Sequence, residues 1–251
     1  MNNRQLENTI VLNSAKQKFA RWVHKFKARL RSKERKRCQA LGKYFPASSV
    51  VLDVGGHFGY FSKEFARLHN GLCQIHTFEP TSYNFSILEE VCARFNNVTL
   101  NNFALSDCNG HTVINIPVKE KGKIGPGLAH FGDENNRDYI SETIRTVTLD
   151  QYVSDQQLTR LDFIKCDVEG AELLVFKGGQ ESLARFKPIV FAEIGEEFTR
   201  RMGYEPGDLI DLFRNQGYRA YMLSETLVLS EEVDSYVRCS DYLFLPVSDN
   251  E

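Results

Sequence analysis

A chain of 251 residues, 42% hydrophobic and 25% charged, can bury a sizeable core and falls outside the collagen-like, disordered and membrane-spanning classes. No apolar run approaches the roughly 20 residues of a spanning helix, and the opening "MNNRQLENTIVLNSAK" lacks the charged-then-apolar order of a secretory signal. The net charge of −2 hides an asymmetry: residues 1–42 hold twelve Lys or Arg against two acids, leaving an excess of twelve negative charges on the rest.

Residues 1–45 read as a basic helical arm ahead of one domain over 46–251. In the arm Phe19, Trp22, Val23, Phe26 and Leu30 recur at helical spacing, giving an apolar stripe on a basic helix. One reading is peripheral attachment to an anionic membrane or a nucleic acid. The other, taken here as the expectation, is that the stripe packs on the acidic body or on a second copy. The six cysteines are scattered with no C-x-x-C pair, as in a cytoplasmic protein with reduced thiols.

Beyond Pro46, strands and helices alternate. "VVLDV" (50–54) is a continuous apolar strand, suited to a sheet covered on both faces. Helix 60–68, strand 74–80, helix 83–95 and strand 98–106 follow. Strand 161–168, helix 171–186, strand 188–194 and helix 205–217 come next, then closing strands 218–223 and 241–247. The alternation implies an α/β fold with a doubly wound, Rossmann-like sheet. Between about Gly110 and Thr148 the rhythm breaks, and "HTVINIPV" and "TIRTVTL" read as an inserted β-hairpin around a glycine-rich loop.

The first strand runs into "DVGGHFG". Gly55, Gly56 and Gly59 allow close approach of the backbone to a ligand, but they do not match G-x-G-x-x-G. Asp53 stands two residues before Gly55, where it would repel a pyrophosphate and suit a cationic ligand without phosphates. Glu79, at the end of the second strand, can accept hydrogen bonds from ribose hydroxyls. NAD and S-adenosylmethionine both carry a ribose, and Asp53 tilts the choice towards the sulfonium cofactor.

"LDVGGHFGYFS", "HTFEPTSYNFSILEE", "NNFALSDCNG", "LDFIKCDVEGAELLVFKGG" and "KPIVFAEI", in this order, resemble the FkbM family of S-adenosylmethionine-dependent methyltransferases over about residues 48–223. The resemblance implies a seven-strand sheet with its last strand antiparallel. It also implies O-methyl transfer onto a hydroxyl of a small-molecule or glycan acceptor, such as a sugar precursor or secondary metabolite. Asp53, Gly55 and Gly59 match the cofactor loop and Glu79 the ribose-binding acid. Asn102, Ala104 and Asp107 match the adenine edge, and Asp167, Glu169 and Glu172 match "DVEGAE". Where the family has Ala-Asn, this chain has Gly56 and His57, so His57 stands in an asparagine's place in the cofactor loop.

A hydroxyl nucleophile must lose a proton, so a base or a metal-lowered pKa is needed. Asp167, Glu169 and Glu193 converge from the ends of the fourth and fifth strands. They could bind Mg2+ or another divalent cation, or one could act as base while the others position the acceptor. Glu169 also suits the helix N-terminus that follows. His130, in the glycine-rich insertion, is a further candidate base on a lid. His76 reads as a packed strand residue and His111 as an exposed hairpin position. Tyr83 and Asn84 start a helix, with Asn84 as a cap or at the cofactor edge. An NAD-dependent oxidoreductase is disfavoured by the missing fingerprint. A non-catalytic relative docking on membrane or RNA through the arm is disfavoured by the intact acids Asp53, Glu79 and Asp167. No DNA partner is expected.

Overall fold

A computed structural model describes residues 15–30, 33–119, 123–124, 139–224 and 228–247. In chain order the elements begin with α1 (Ala15–Leu30), α2 (Lys33–Leu41), β1 (Val50–Val54), α3 (Ser62–Phe65), β2 (Gln74–Phe78) and α4 (Ser82–Cys92). Then come β3 (Val98–Asn101), β4 (Ala104–Ser106), β5 (Gly110–Lys119), β6 (Lys123–Ile124), β7 (Tyr139–Thr148) and α5 (Leu149–Asp155). They continue with β8 (Phe163–Cys166), α6 (Glu172–Lys177), α7 (Gln180–Phe186), β9 (Ile189–Ile194) and α8 (Glu196–Arg201). The last are α9 (Pro206–Asn215), β10 (Tyr218–Leu223), β11 (Leu229–Val233) and β12 (Ser240–Pro246).

The main sheet has the order β11-β10-β12-β9-β8-β1-β2-β3. From β3 to β9 it is parallel, and β12 enters antiparallel between β9 and β10, as the reversed last strand was expected to do. An eighth strand, β11, extends the edge beyond the expected seven. Its "LSEEV" is largely exposed and carries two acids, a composition that discourages further edge pairing.

Every residue of β1 is buried, and its side chains alternate between two cores. Val50, Leu52 and Val54 pack with α5, α6, α7 and α9, whereas Val51 packs with α2 and α3. The expected boundary at 45/46 therefore cuts through a core. Cys38 and Leu41 of α2 are fully buried and Phe45 nearly so, each contributing on the order of 1.5–3 kcal/mol.

Three spans depart from the sequence reading. The strand expected over 98–106 divides, β3 joining the main sheet and β4 pairing with β7 in a second sheet of order β4-β7-β5-β6. The helix expected over 171–186 breaks at Gly178–Gly179, where the backbone runs so close to β4 that a Cβ on Gly178 would sit 2.1 Å from the Ser106 carbonyl oxygen. The helix expected over 60–68 is one turn, followed by a 3-10 turn in which His69 and Asn70 adopt left-handed φ values of 49° and 59°. The insertion does pair as a hairpin, β5 against β7 in register from Gly110↔Thr146 to Pro117↔Tyr139.

The arm packs on the body, with Trp22 and Phe26 of its apolar stripe turned away from it and the side chains of Phe19 and Leu30 outside the described residues. Arg21 and Lys25 pair with Glu90 of α4, His24 stacks on Phe58 and meets the Tyr83 hydroxyl, and Ala28 is fully buried. Lys63 donates to the Ala28 carbonyl at 2.5 Å, placing a cation on carbonyls of the last turn of α1. Trp22 and Phe26, from the stripe, face outwards and are 58% and 52% exposed. Pairing with Glu90 and the burial of Ala28 among Phe58, Tyr83 and Ile87 together orient the helix. No helix among the described residues is long and apolar enough to cross a membrane.

Candidate active site

Ligands of open α/β sheets bind beyond the carboxyl ends of the strands, where strand order reverses. Here the reversal lies between β1 and β8, and a cavity of about 300 Å³ occupies it. The loop after β1 is drawn against both neighbours. Gly55 and Gly56 donate N–H bonds to the Phe78 carbonyl at 3.0 and 2.8 Å. Gly55 has φ +79°, and a Cβ there would stand 1.9 Å from the Asp167 carbonyl oxygen. Gly55→Ala is expected to lower Tm by several degrees and to weaken ligand binding, since the loop must withdraw from β8. Gly203→Ala, at φ +80° with no atom within 4 Å, carries the strain alone and is the comparison in thermal unfolding. Equal losses in the two variants would show that close approach is unimportant.

Asp53 does not face the cavity. It is fully buried beneath the loop, accepts a 2.6 Å bond from the Ser62 hydroxyl and lies 3.2 Å from Lys165 Nζ. Its expected role, a charge offered to a cationic ligand, is corrected: that charge is matched by the protein's own lysine. Lys165 also donates to the Val54 and Gly55 carbonyls at 3.2 and 2.8 Å and stands 3.6 Å from Asp167. Burial alone would lower its pKa, but the Asp53 and Asp167 carboxylates outweigh burial and hold it above the usual lysine range. Sequence reading passed over Lys165. The available signal was a lone cation in the otherwise apolar run "DFIKC".

Glu79 lines the cavity from the end of β2. One oxygen accepts from the His57 N–H at 2.9 Å; the other accepts from the Thr81 N–H, the Thr81 hydroxyl and Asn84 Nδ2, at 3.0, 2.5 and 3.2 Å. Burial raises its pKa while these donors pull it down. His57 adopts φ 48°, a left-handed conformation in which Asn and His are both enriched, so the backbone accepts the exchange of asparagine for histidine. Its ring packs on Phe58, 3.9 Å between centroids. Gly56 and His57 line the cavity; Gly59 does not, lying instead against α4, where its Cβ would be 2.9 Å from Leu88.

Across β1 lies the acidic rim. Asp167 and Glu169 line the cavity, and Glu193 ends β9 beside them. Burial and the charges of Asp167, Glu193 and Glu172 push the Glu169 carboxyl up to about 8. Desolvation and the Asp167 charge also raise Glu193. Glu172 is buried away from the cavity and accepts from the Val168 and Gly170 N–H groups at 2.9 and 3.4 Å, which ties down the loop carrying Glu169. Among the described residues no three His, Cys, Asp or Glu side chains are placed to hold a metal ion. The divalent cation expected at Asp167, Glu169 and Glu193 therefore has no ligand set here.

The remaining wall is apolar and comes largely from the second sheet: Ala104 and Leu105 of β4, Ile114 of β5 and Ile144 of β7. Asn102 lies outside the cavity, donating to the Glu79 and Pro80 carbonyls at 2.9 and 3.1 Å, and Asp107 is exposed and also outside it. Neither lies where an adenine edge was expected. His130 falls outside the described residues. His76 is buried with its Nδ1 2.6 Å from the Tyr152 hydroxyl, and His111 is exposed. Glu34 and Arg37 of α2 also line the cavity, a contribution from the arm that no motif announced. Arg37 pairs with Asp241, its guanidinium 5.1 Å from the Phe191 ring centre. Lining acids thus outnumber lining cations, Glu34, Glu79, Asp167 and Glu169 against Arg37 and Lys165, and both cations already lie against the protein's own carboxylates. Such a site favours a cationic ligand over a pyrophosphate.

The family profile of the methyltransferase FkbM domain matches residues 53–220. A 2-O-methyltransferase, NoeI, from Sinorhizobium fredii is 25% identical over 158 residues, which is 59% of this chain and 64% of that protein. The crystal structure of a methyltransferase FkbM from Methylobacillus flagellatus KT superposes with a TM-score of 0.50 at 17% identity, over 79% of this chain and 43% of that one. The chain thus spans less than two thirds of the length of either relative. The second likeness speaks to fold alone.

Proposed function

The chain belongs to the FkbM methyltransferase family, and on that footing we propose that it transfers a methyl group from S-adenosylmethionine to a hydroxyl of a sugar, glycan precursor or secondary metabolite. The observation that carries this reading is the placement of acids in one cavity. Glu79 stands on one side of β1, Asp167 and Glu169 on the other, and among the described residues each lining Lys or Arg already lies against a carboxylate of the protein. The 2-O-methyltransferase relative supports oxygen as the acceptor atom.

The residues present fit the cofactor. Glu79 would hold the ribose hydroxyls; Leu105, Ile114 and Ile144 would cover the adenine; Asp167, with the rings of Tyr60 and Phe61, would face the positive charge. When bound, S-adenosylmethionine supplies a methyl group on a sulfonium, an electrophile needing no further activation. The protein's part is to align the acceptor and remove its proton. Glu169 is the base in this reading. Its proton affinity, raised by burial and by Asp167 and Glu193, is closer to that of a hydroxyl than an ordinary carboxylate's is.

Calorimetric titration with S-adenosylhomocysteine and with NADH separates this reading from a nicotinamide enzyme. Micromolar binding of the first alone is expected, weakened roughly ten-fold or more in Glu79→Gln, which removes a charged acceptor but keeps the side chain's length. Binding of NADH alone would overturn the assignment.

A further inference from the structure

The outward aromatic pair of α1 is independent of the catalytic reading. Trp22 and Phe26 stack with ring centres 5.6 Å apart and planes 13° from parallel, both more than half exposed. They lie about 100–150° round the helix from the face that holds Arg21, His24, Lys25 and Ala28 against the body. Lys27 is exposed on the same helix, whereas Arg29, also exposed, donates to the Glu90 carbonyl of the body. An amphipathic helix that buried its apolar side in its own domain would show the opposite arrangement. Here the cation-bearing side is used for attachment and the aromatic side is presented.

We propose that α1 docks this protein on an anionic phospholipid surface, with Trp22 and Phe26 inserted at the headgroup boundary and Lys27 against lipid phosphates. The charge distribution selects this occupant. Residues 1–42 carry an excess of ten positive charges and the rest an excess of twelve negative ones, so an anionic bilayer attracts the arm and repels the body. That fixes which face approaches. A second copy is disfavoured, because a two-fold contact through the pair would bring two strongly basic helices together. A nucleic acid is less well suited, because the two rings already occupy each other's faces rather than offering them to bases. Because α2, next in the chain, contributes Glu34 and Arg37 to the cavity, docking places the cavity near the bilayer.

Trp22 is the only tryptophan in the chain, so its fluorescence reports the proposed contact directly. Full-length protein is mixed with vesicles of three parts phosphatidylcholine to one part phosphatidylglycerol, and with vesicles of phosphatidylcholine alone. A blue shift and co-sedimentation with the anionic vesicles are expected, with binding at least about ten-fold weaker to the neutral ones and on adding high salt. Phe26→Ser, which keeps the reporter, should weaken binding by about ten-fold, and Trp22→Ser/Phe26→Ser should abolish sedimentation. Both positions are exposed, and unchanged circular dichroism and thermal unfolding would show that the fold is intact. The proposal fails if anionic vesicles neither shift the fluorescence nor sediment the protein, or if the double variant binds as the parent does. It fails equally if the shift follows protein concentration or added single-stranded RNA instead of lipid. None of these readouts depends on methyl transfer, so failure here leaves the proposed activity standing.

Discussion

Lys165→Met is expected to destabilise the protein by roughly 3–5 kcal/mol, the cost of leaving a buried charge without its partner. Lys165 is 2% exposed, and the Asp53 carboxylate 3.2 Å away is fully buried. The Ser62 hydroxyl would then be the one remaining hydrogen-bond donor recorded to Asp53, and the Val54 and Gly55 carbonyls would lose the ammonium that ties β8 to the cofactor loop. A Tm loss of about ten degrees or more follows at ~2–4 °C per kcal/mol, a large part of the 5–15 kcal/mol that holds a domain together. Adding Asp53→Asn to the methionine variant should recover part of the loss, since the orphaned charge is removed. Chemical denaturation of the two single variants and the double closes the cycle. A loss below about 1 kcal/mol, or no recovery in the double variant, would mean that the pair is not the keystone of the β1–β8 crevice.

Glu169→Gln is expected to lower kcat by about 10²–10⁴ while leaving S-adenosylhomocysteine affinity within about two-fold, because the carboxylate acts on the acceptor's proton and not on the cofactor. The pH profile supplies the sharper check. A base must be deprotonated, and Glu169 is pushed up to about 8, so activity should fall about ten-fold per unit as pH drops below that value and level off above it. In Glu169→Gln the limb disappears along with most of the rate. Asp167→Asn removes one of the charges that raise Glu169, so its residual activity should show the limb displaced to lower pH. A limb that stays put in Asp167→Asn, or persists in Glu169→Gln, would assign the proton to another group.

Local features were legible in the sequence wherever a residue's role was set by its immediate neighbours. The continuous apolar run "VVLDV" gave a doubly covered strand, because both of its faces are buried. Glu79 and the glycine loop follow from a strand-to-helix turn, in which the backbone demands particular residue types. The reversal of the last strand followed from the family resemblance rather than from periodicity, and its place between β9 and β10 came from the tertiary structure.

Other features were set by which elements meet. Asp53 reads as a free acid beside the loop until Lys165, more than a hundred residues later, arrives through the parallel pairing of β1 with β8. Asn102 and Asp107 sit at the right place in the chain, but the split of β3 from β4 turns both outside the cavity and brings Leu105 inwards. Glu169 acquires its unusual proton affinity from burial, reinforced by the Asp167 and Glu193 charges that the side-by-side ends of β8 and β9 bring near it. The apolar stripe of α1 was visible in the sequence, but its direction was not. Periodicity states that one side of a helix differs from the other, and only the position of Glu90 on α4 decided which side faces the body. The sequence by itself determined the strands, the turn and the charge of each segment, which depend on neighbours within a few residues. The tertiary structure alone decided which charges cancel and which face the cavity or solvent, because electrostatic energy depends on distance through space rather than along the chain.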